Sequence, residues 1–121
     1  MPSRSAFQFL HAADLVLDAP VFGVADLPAA ARDVLLDARY LAARRVFDVA
    51  LESDVDFVVL AGNVLDTGYG VRAAYFLAEQ FDRLEQAGIP VYWVERTVTG
   101  AVEWPRFVPW LQNVFRADAN F

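Results

Sequence analysis

The residues of this chain that could do chemistry are few, and they stand near the ends of three short apolar segments. Asp14, Asp18, Asn63 and Asp66 are oxygen donors, and His11 is the single histidine. Asp14 and Asn63, joined by Asp18 or Asp66, would compose an oxygen-only set of the kind Mg²⁺ or Mn²⁺ accepts, with waters completing the shell. Isolated acids in strand-end loops more often cap helices or close turns, so the structural role is the preferred reading. His11 has the right type for general acid or base work, which needs a positioned imidazole in a cleft. A hydrogen-bonded, partly buried histidine is the expectation. The absence of cysteine removes disulfides, thiolate metal sites and a cysteine nucleophile, and fits a reducing interior.

Two further patterns invite a functional reading. Gly68, Gly70 and Ala73 spell G-x-G-x-x-A before a helix, with Glu95 ending the next strand, which imitates a dinucleotide fingerprint and its ribose-binding acid. In that fingerprint the first glycine follows the strand almost directly, whereas Asn63 to Thr67 intervene here. Loop flexibility is the better account. Trp104, Phe107 and Trp110 recur every three residues in WPRFVPWL and suggest one face of a short helical turn. Core packing is the ordinary explanation. The sharper one is a contact patch for a partner, since aromatics are enriched at interface hot spots.

The elements that must position these residues follow from periodicity. Phe7 to Ala12 alternates as a first strand, with His11 and Ala12 on opposite faces, after a frayed, flexible N-terminus over residues 1–6. From about Ala29 to Ser53, behind Pro28, a helical stripe runs through Val34, Leu35, Ala38, Leu41, Ala42, Val46, Val49 and Ala50. DFVVLAG, from Asp56 to Gly62, reads as a central strand covered on both faces. A second helix spans about Val71 to Ala87, with Ala74, Leu77, Ala78, Phe81 and Leu84 inward, stopped by Gly88 and Pro90. VYWVE, Val91 to Glu95, is the third strand, and an edge strand is expected near Asn113 to Arg116. Strand alternating with helix predicts an α/β fold: a mostly parallel sheet of three to four strands with right-handed crossovers and helices on its faces. Residues 7–121 form one domain. Ligands of such sheets bind beyond the carboxyl ends of the strands, which selects the loops ADLVLD, GNVLD and ERTVTG.

Charge narrows the partners. All ten basic residues are arginine, against sixteen acids, for a net charge of −6. Phosphate backbones are held chiefly by cationic side chains, and no basic run of five exists, so nucleic acid is disfavoured as a partner of this chain alone. No stretch approaches the roughly 18 apolar residues of a membrane span, and no secretory leader is evident at the start. A cytoplasmic location without membrane attachment is expected.

With those loops identified, the chain resembles the calcineurin-like metallophosphoesterases, in particular the bacterial DNA-repair exonuclease branch of the SbcD type. The likeness runs from Phe7 to about Phe115 through FLHAADL, LDAP, VDFVVLAGN and AGIPVYWV, and covers only the front half of a family domain. The resemblance implies an opening motif of aspartate, any residue, histidine; Asp14, Leu15 and Val16 stand there. It implies a glycine followed by a metal-bridging aspartate; Gly62 and Asn63 stand there. Where it implies glycine, asparagine, histidine, aspartate, this chain has Arg96, Thr97, Val98 and Thr99. The resemblance places His11 beside the first ligand without making it a ligand, and Asp66 is a candidate orienter of the ligands should the chain be an enzyme.

Those replacements bear on charge. Two dications about 3.7 Å apart repel by roughly 18 kcal/mol at an effective dielectric of 20, so a bridging carboxylate and several more donors must hold them. Asn63 is neutral, and Val16 and Val98 have no lone pair. The expectation is a degenerate, non-catalytic metallophosphoesterase-like domain with no metal cofactor, acting through protein contacts or as a homo-oligomer, with Asp14 and Asn63 as vestigial metal positions. The rival is a metal-dependent phosphodiesterase or DNA exonuclease. Its site would be completed by another subunit or a continuation of the chain, with Asp14 and Asn63 as local ligands of Mn²⁺ or Mg²⁺.

Overall fold

A computed structural model describes residues 6–17, 27–65, 71–95, 104–105 and 108–118. In chain order the elements are β1 (Phe9–Ala13), α1 (Ala29–Glu52), β2 (Phe57–Gly62), α2 (Val71–Gln86), β3 (Val91–Glu95) and β4 (Val114–Asp118). The strands form one sheet in the order β1-β2-β3-β4, and every pairing is parallel. The expected α/β class and parallel sheet are therefore present. β4 sits where an edge strand was expected.

Both helices lie on the same side of the sheet. Val58 and Leu60 of β2, Val91 and Trp93 of β3 and Val114 of β4 form one buried cluster with Tyr40, Ala43, Phe47 and Ala50 of α1 and Leu77, Phe81 and Leu84 of α2. Strands that progress in one direction, each joined by a right-handed crossover, deliver successive helices to one face. Phe47 meets Phe76 and Phe81 edge-on, at 6.4 and 6.2 Å between ring centroids, and locks the helix pair. Arg83 links the pair at its margin, donating to Asp48 Oδ1 at 2.8 Å and to Gln80 Oε1 at 2.6 Å.

Two expectations need correction. β2 is covered on one face only: Val58 and Leu60 are buried while Phe57, Val59 and Ala61 keep partial exposure. A continuous apolar run does not by itself reveal a second covering layer. The stripe on α1 is also rotated: of the expected residues Ala50 is buried, but Val34, Leu35 and Leu41 are exposed and Tyr40, Ala43 and Phe47 are buried in their place. The aromatic rings decide this register, since each removes far more area from water than an alanine or valine.

The helix ends behave as their residues demand. Gly88, at φ 74°, follows α2 in the left-handed region. Its N–H donates to Glu85 O and that of Ile89 donates to Leu84 O, both at 2.9 Å, which makes a Schellman closure with Ile89 buried near Leu84. α1 closes the same way through Asp54 at φ 48°, with Asp54 N donating to Leu51 O and Val55 N to Ala50 O. No helix among the described residues is long and apolar enough to cross a membrane.

Candidate functional site

The carboxyl ends of β1 and β2 continue side by side beyond the sheet. Asp14 N donates to Ala61 O at 3.1 Å, Val16 N to Asn63 O at 2.9 Å and Leu17 N to Val64 O at 3.0 Å, ending in a parallel bridge between Leu17 and Leu65. Leu17, Val64 and Leu65 are buried, so an apolar anchor fixes both loops just past the polar residues. Asp14 and Asn63 are thereby brought together, as the reading of the strand ends expects.

Their contact is specific. The Asn63 backbone N–H donates to Asp14 Oδ1 at 2.8 Å, so one carboxylate oxygen braces the neighbouring loop. Gly62, at φ 70°, makes room for it: a Cβ there would run into Asp14 Oδ1 and stand 2.9 Å from its Cγ. Glycine answers two demands at once, a left-handed backbone and the close approach of a side chain.

The loop after β1 enters the left-handed region twice, at Asp14 (φ 55°) and Val16 (φ 49°). Aspartate visits that region with modest difficulty, because its short polar side chain bonds locally. A β-branched residue does so only under strain, of order 1–3 kcal/mol, when its surroundings over-determine it. Here the determinant is the ladder from Val16 N to Asn63 O and Leu17 N to Val64 O. Val16 thus occupies a backbone conformation that suits an unbranched residue better.

As a metal site this arrangement is poor in donors. Asp14 supplies one carboxylate with an oxygen already accepting an amide proton, Asn63 supplies at most a neutral carbonyl, and Val16 supplies nothing. Among the described residues no three histidine, cysteine, aspartate or glutamate side chains come together as a metal-holding group. These donors do not fit a pair of dications. Asp18, Asp66, Thr97, Val98, Gly68 and Gly70 lie outside the described residues.

The remaining candidates take separate places. His11 pairs in register with Val59 at the middle of β1 and is exposed on the sheet face opposite the helices, not partly buried as expected, since among the described residues no layer covers that face. Trp104 is half-buried, and its indole N–H donates to Val108 O at 2.9 Å. Its ring meets Trp110 edge-on at 5.1 Å and Trp93 at 6.1 Å, and Trp110 retains 39% exposure. Val108 N donates to Pro105 O at 3.1 Å, and the two prolines deny the segment a run of amide donors. Phe107 lies outside the described residues.

Sequence reasoning missed one group. Phe9, Phe57, Tyr92 and Phe115 line the uncovered sheet face in contact across all four strands. The signal was available as alternation, in FQF, DFVV, VYWV and VFR, once it was known which face lacked a cover.

Comparison with known proteins bears on the family. No protein-family model matches the chain. Over 85 residues, 69% of this chain, it is 39% identical to the uncharacterized metallophosphoesterase YhaO of Bacillus subtilis (strain 168). The chain spans about a fifth of that relative's length, 21%. The similarity supports the metallophosphoesterase superfamily and does not single out the SbcD-type branch.

Proposed function

We propose that this chain is a metallophosphoesterase-like domain that has lost two-metal hydrolysis and works through protein contacts. The observation that carries the reading is the state of Asp14. Its carboxylate closes a loop by accepting the Asn63 N–H, beside a valine and a neutral amide where paired cations would need lone pairs and negative charge. Arg96, Thr97 and Val98 in the third strand-end loop support it on residue type, since a guanidinium opposes cations and valine cannot ligate. No metal cofactor is part of this reading. The net charge of −6 argues for a protein partner over a nucleic acid.

The test is hydrolysis of bis-p-nitrophenyl phosphate in the presence of Mn²⁺. The expected result is a rate equal to the buffer blank, with the double variant Val16→His, Asn63→Asp equally silent because Thr97 and Val98 remain. Turnover that falls when Asp14 becomes alanine would overturn the proposal.

The relative's name favours a second reading, a metal-dependent phosphodiesterase, and on the resemblance to the SbcD type a DNA exonuclease. Asp14 and Asn63 would then be local ligands of Mn²⁺ or Mg²⁺, His11 and Asp66 would orient them, and another subunit or further chain would complete the set. Calorimetric titration with Mn²⁺ separates the two: stoichiometric binding abolished by Asp14→Ala belongs to the enzyme.

A further inference from the structure

The loop after β1 leaves the sheet through two left-handed residues, Asp14 at φ 55° and Val16 at φ 49°. Val16 is the strained one. A side chain branched at Cβ crowds the following carbonyl in that region, and valine stays there only where its surroundings leave no choice. The constraint comes from both sides. Leu15 packs against the core cluster and Leu17 is fully buried in it, so the residue between two anchored leucines cannot turn freely. Backbone bonds complete the hold: Asp14 N donates to Ala61 O at 3.1 Å, Val16 N to Asn63 O at 2.9 Å and Leu17 N to Val64 O at 3.0 Å. The Asp14 carboxylate adds another by accepting the Asn63 N–H at 2.8 Å.

We propose that residues 14–17 form a strained strap, docked against the β2 loop at Asn63, Val64 and Leu65, and that Val16 sets how readily the strap lifts. Docking gains the burial of Leu17, its bridge to Leu65 and the bonds just named. Against it stands the backbone strain at Val16, which is present while the strap is docked and relaxes once the chain is free. The two effects oppose each other within one short segment, so the strap opens ahead of the sheet, as a local event separate from global unfolding.

Lifting has two consequences. It takes the Asp14 carboxylate off the Asn63 N–H, and it withdraws Leu17 from the core cluster. The strap therefore controls the junction of the β1 and β2 loops, and the structure holds it closed. Strained residues other than glycine gather at sites that must switch. The strap serves either reading of the function, because a braced Asp14 belongs to its closed state and a released Asp14 to its open one.

The experiment is native-state hydrogen exchange of the whole chain, followed by NMR. It compares the Leu17 N–H, bonded to Val64 O, with the Val58 N–H, bonded to Pro90 O at 3.0 Å inside the sheet. In the native chain Leu17 should exchange at least about a hundredfold faster than Val58, since only the strap must open to free it. Val16→Asn, which accepts the left-handed backbone, should slow Leu17 exchange about tenfold by relieving the strain. Val16→Ile keeps the branch at Cβ and should stay within about twofold of the native rate. Val16→Gly relieves the same strain but loosens the lifted chain, so its rate should fall between the two. Equal rates in the asparagine and isoleucine variants would overturn the proposal, because opening would then not depend on the backbone at position 16. So would Leu17 and Val58 exchanging together in the native chain, since the strap would then lift only as the domain unfolds. If Val16→Asn does not fold, Val16→Gly against Val16→Ile makes the same comparison. These rates are independent of the phosphodiester assay, so this inference and the loss of catalysis fail separately.

Discussion

At the scale of single residues, Asp14 and Gly62 behave as one unit. The carboxylate rests on the glycine and accepts the amide proton that follows it, so neither can change without the other responding. Gly62→Ala should cost about 2–3 kcal/mol, from the left-handed backbone and the collision with Asp14 together. Asp14→Ala alone should cost about 1 kcal/mol for its exposed hydrogen bond. The double variant should recover on the order of 1 kcal/mol of the sum, because removing the carboxylate clears the space a Cβ needs. Urea denaturation of the four proteins measures it, and strict additivity would mean that the two residues do not press on each other. Asp14 and Asn63 were visible in the sequence as strand-end residues. The left-handed backbone at Asp14 and Val16 was not, since neither residue type announces it.

At the scale of elements, one side chain anchors the start of β4, beside its ladder with β3. Asn113 Nδ2 donates to Phe81 O at 3.3 Å and to Ile89 O at 3.0 Å, while Asn113 O accepts from Val91 N at 2.9 Å. These bonds tie the start of the edge strand to α2 and to the approach to β3. Asn113→Ala should lose about 1–2 kcal/mol, and Asn113→Asp about 3 kcal/mol or more, since a carboxylate would face two carbonyl oxygens. Urea midpoints decide the order; an aspartate as well tolerated as alanine would remove this role. The strands and helices themselves were legible because alternation and the Gly88–Pro90 stop are local signals. The register of α1 was not. Its apolar residues spread over more than one stripe, and only Phe76 and Phe81 of the neighbouring helix select the side carrying Tyr40 and Phe47.

At the scale of the whole molecule, two opposing forces act on any self-association of the chain. Apolar rings favour contact, and a charge of −6 on each copy opposes it. The repulsion is screened over about 8 Å at physiological ionic strength and over a shorter distance as salt rises. Association should therefore tighten several-fold between 50 and 500 mM sodium chloride, read from sedimentation isotherms. A dimer that dissociates as salt is added would point to ion pairs rather than to apolar contact. The exposed pairs Arg45–Glu52 and Arg72–Asp37 lie on the helices and contribute little to stability for the same reason of screening.

Sequence alone determined the class of fold, the three strand-end loops and the poverty of metal donors at positions 14, 16, 63 and 96–98, because these depend on residue type and short-range period. The tertiary structure decided which side of the sheet the two helices cover, which stripe of α1 is buried and that Asp14 braces the Asn63 loop. Each of those depends on where a second element comes to rest, and alternation along a strand separates two faces without saying which one another layer will cover.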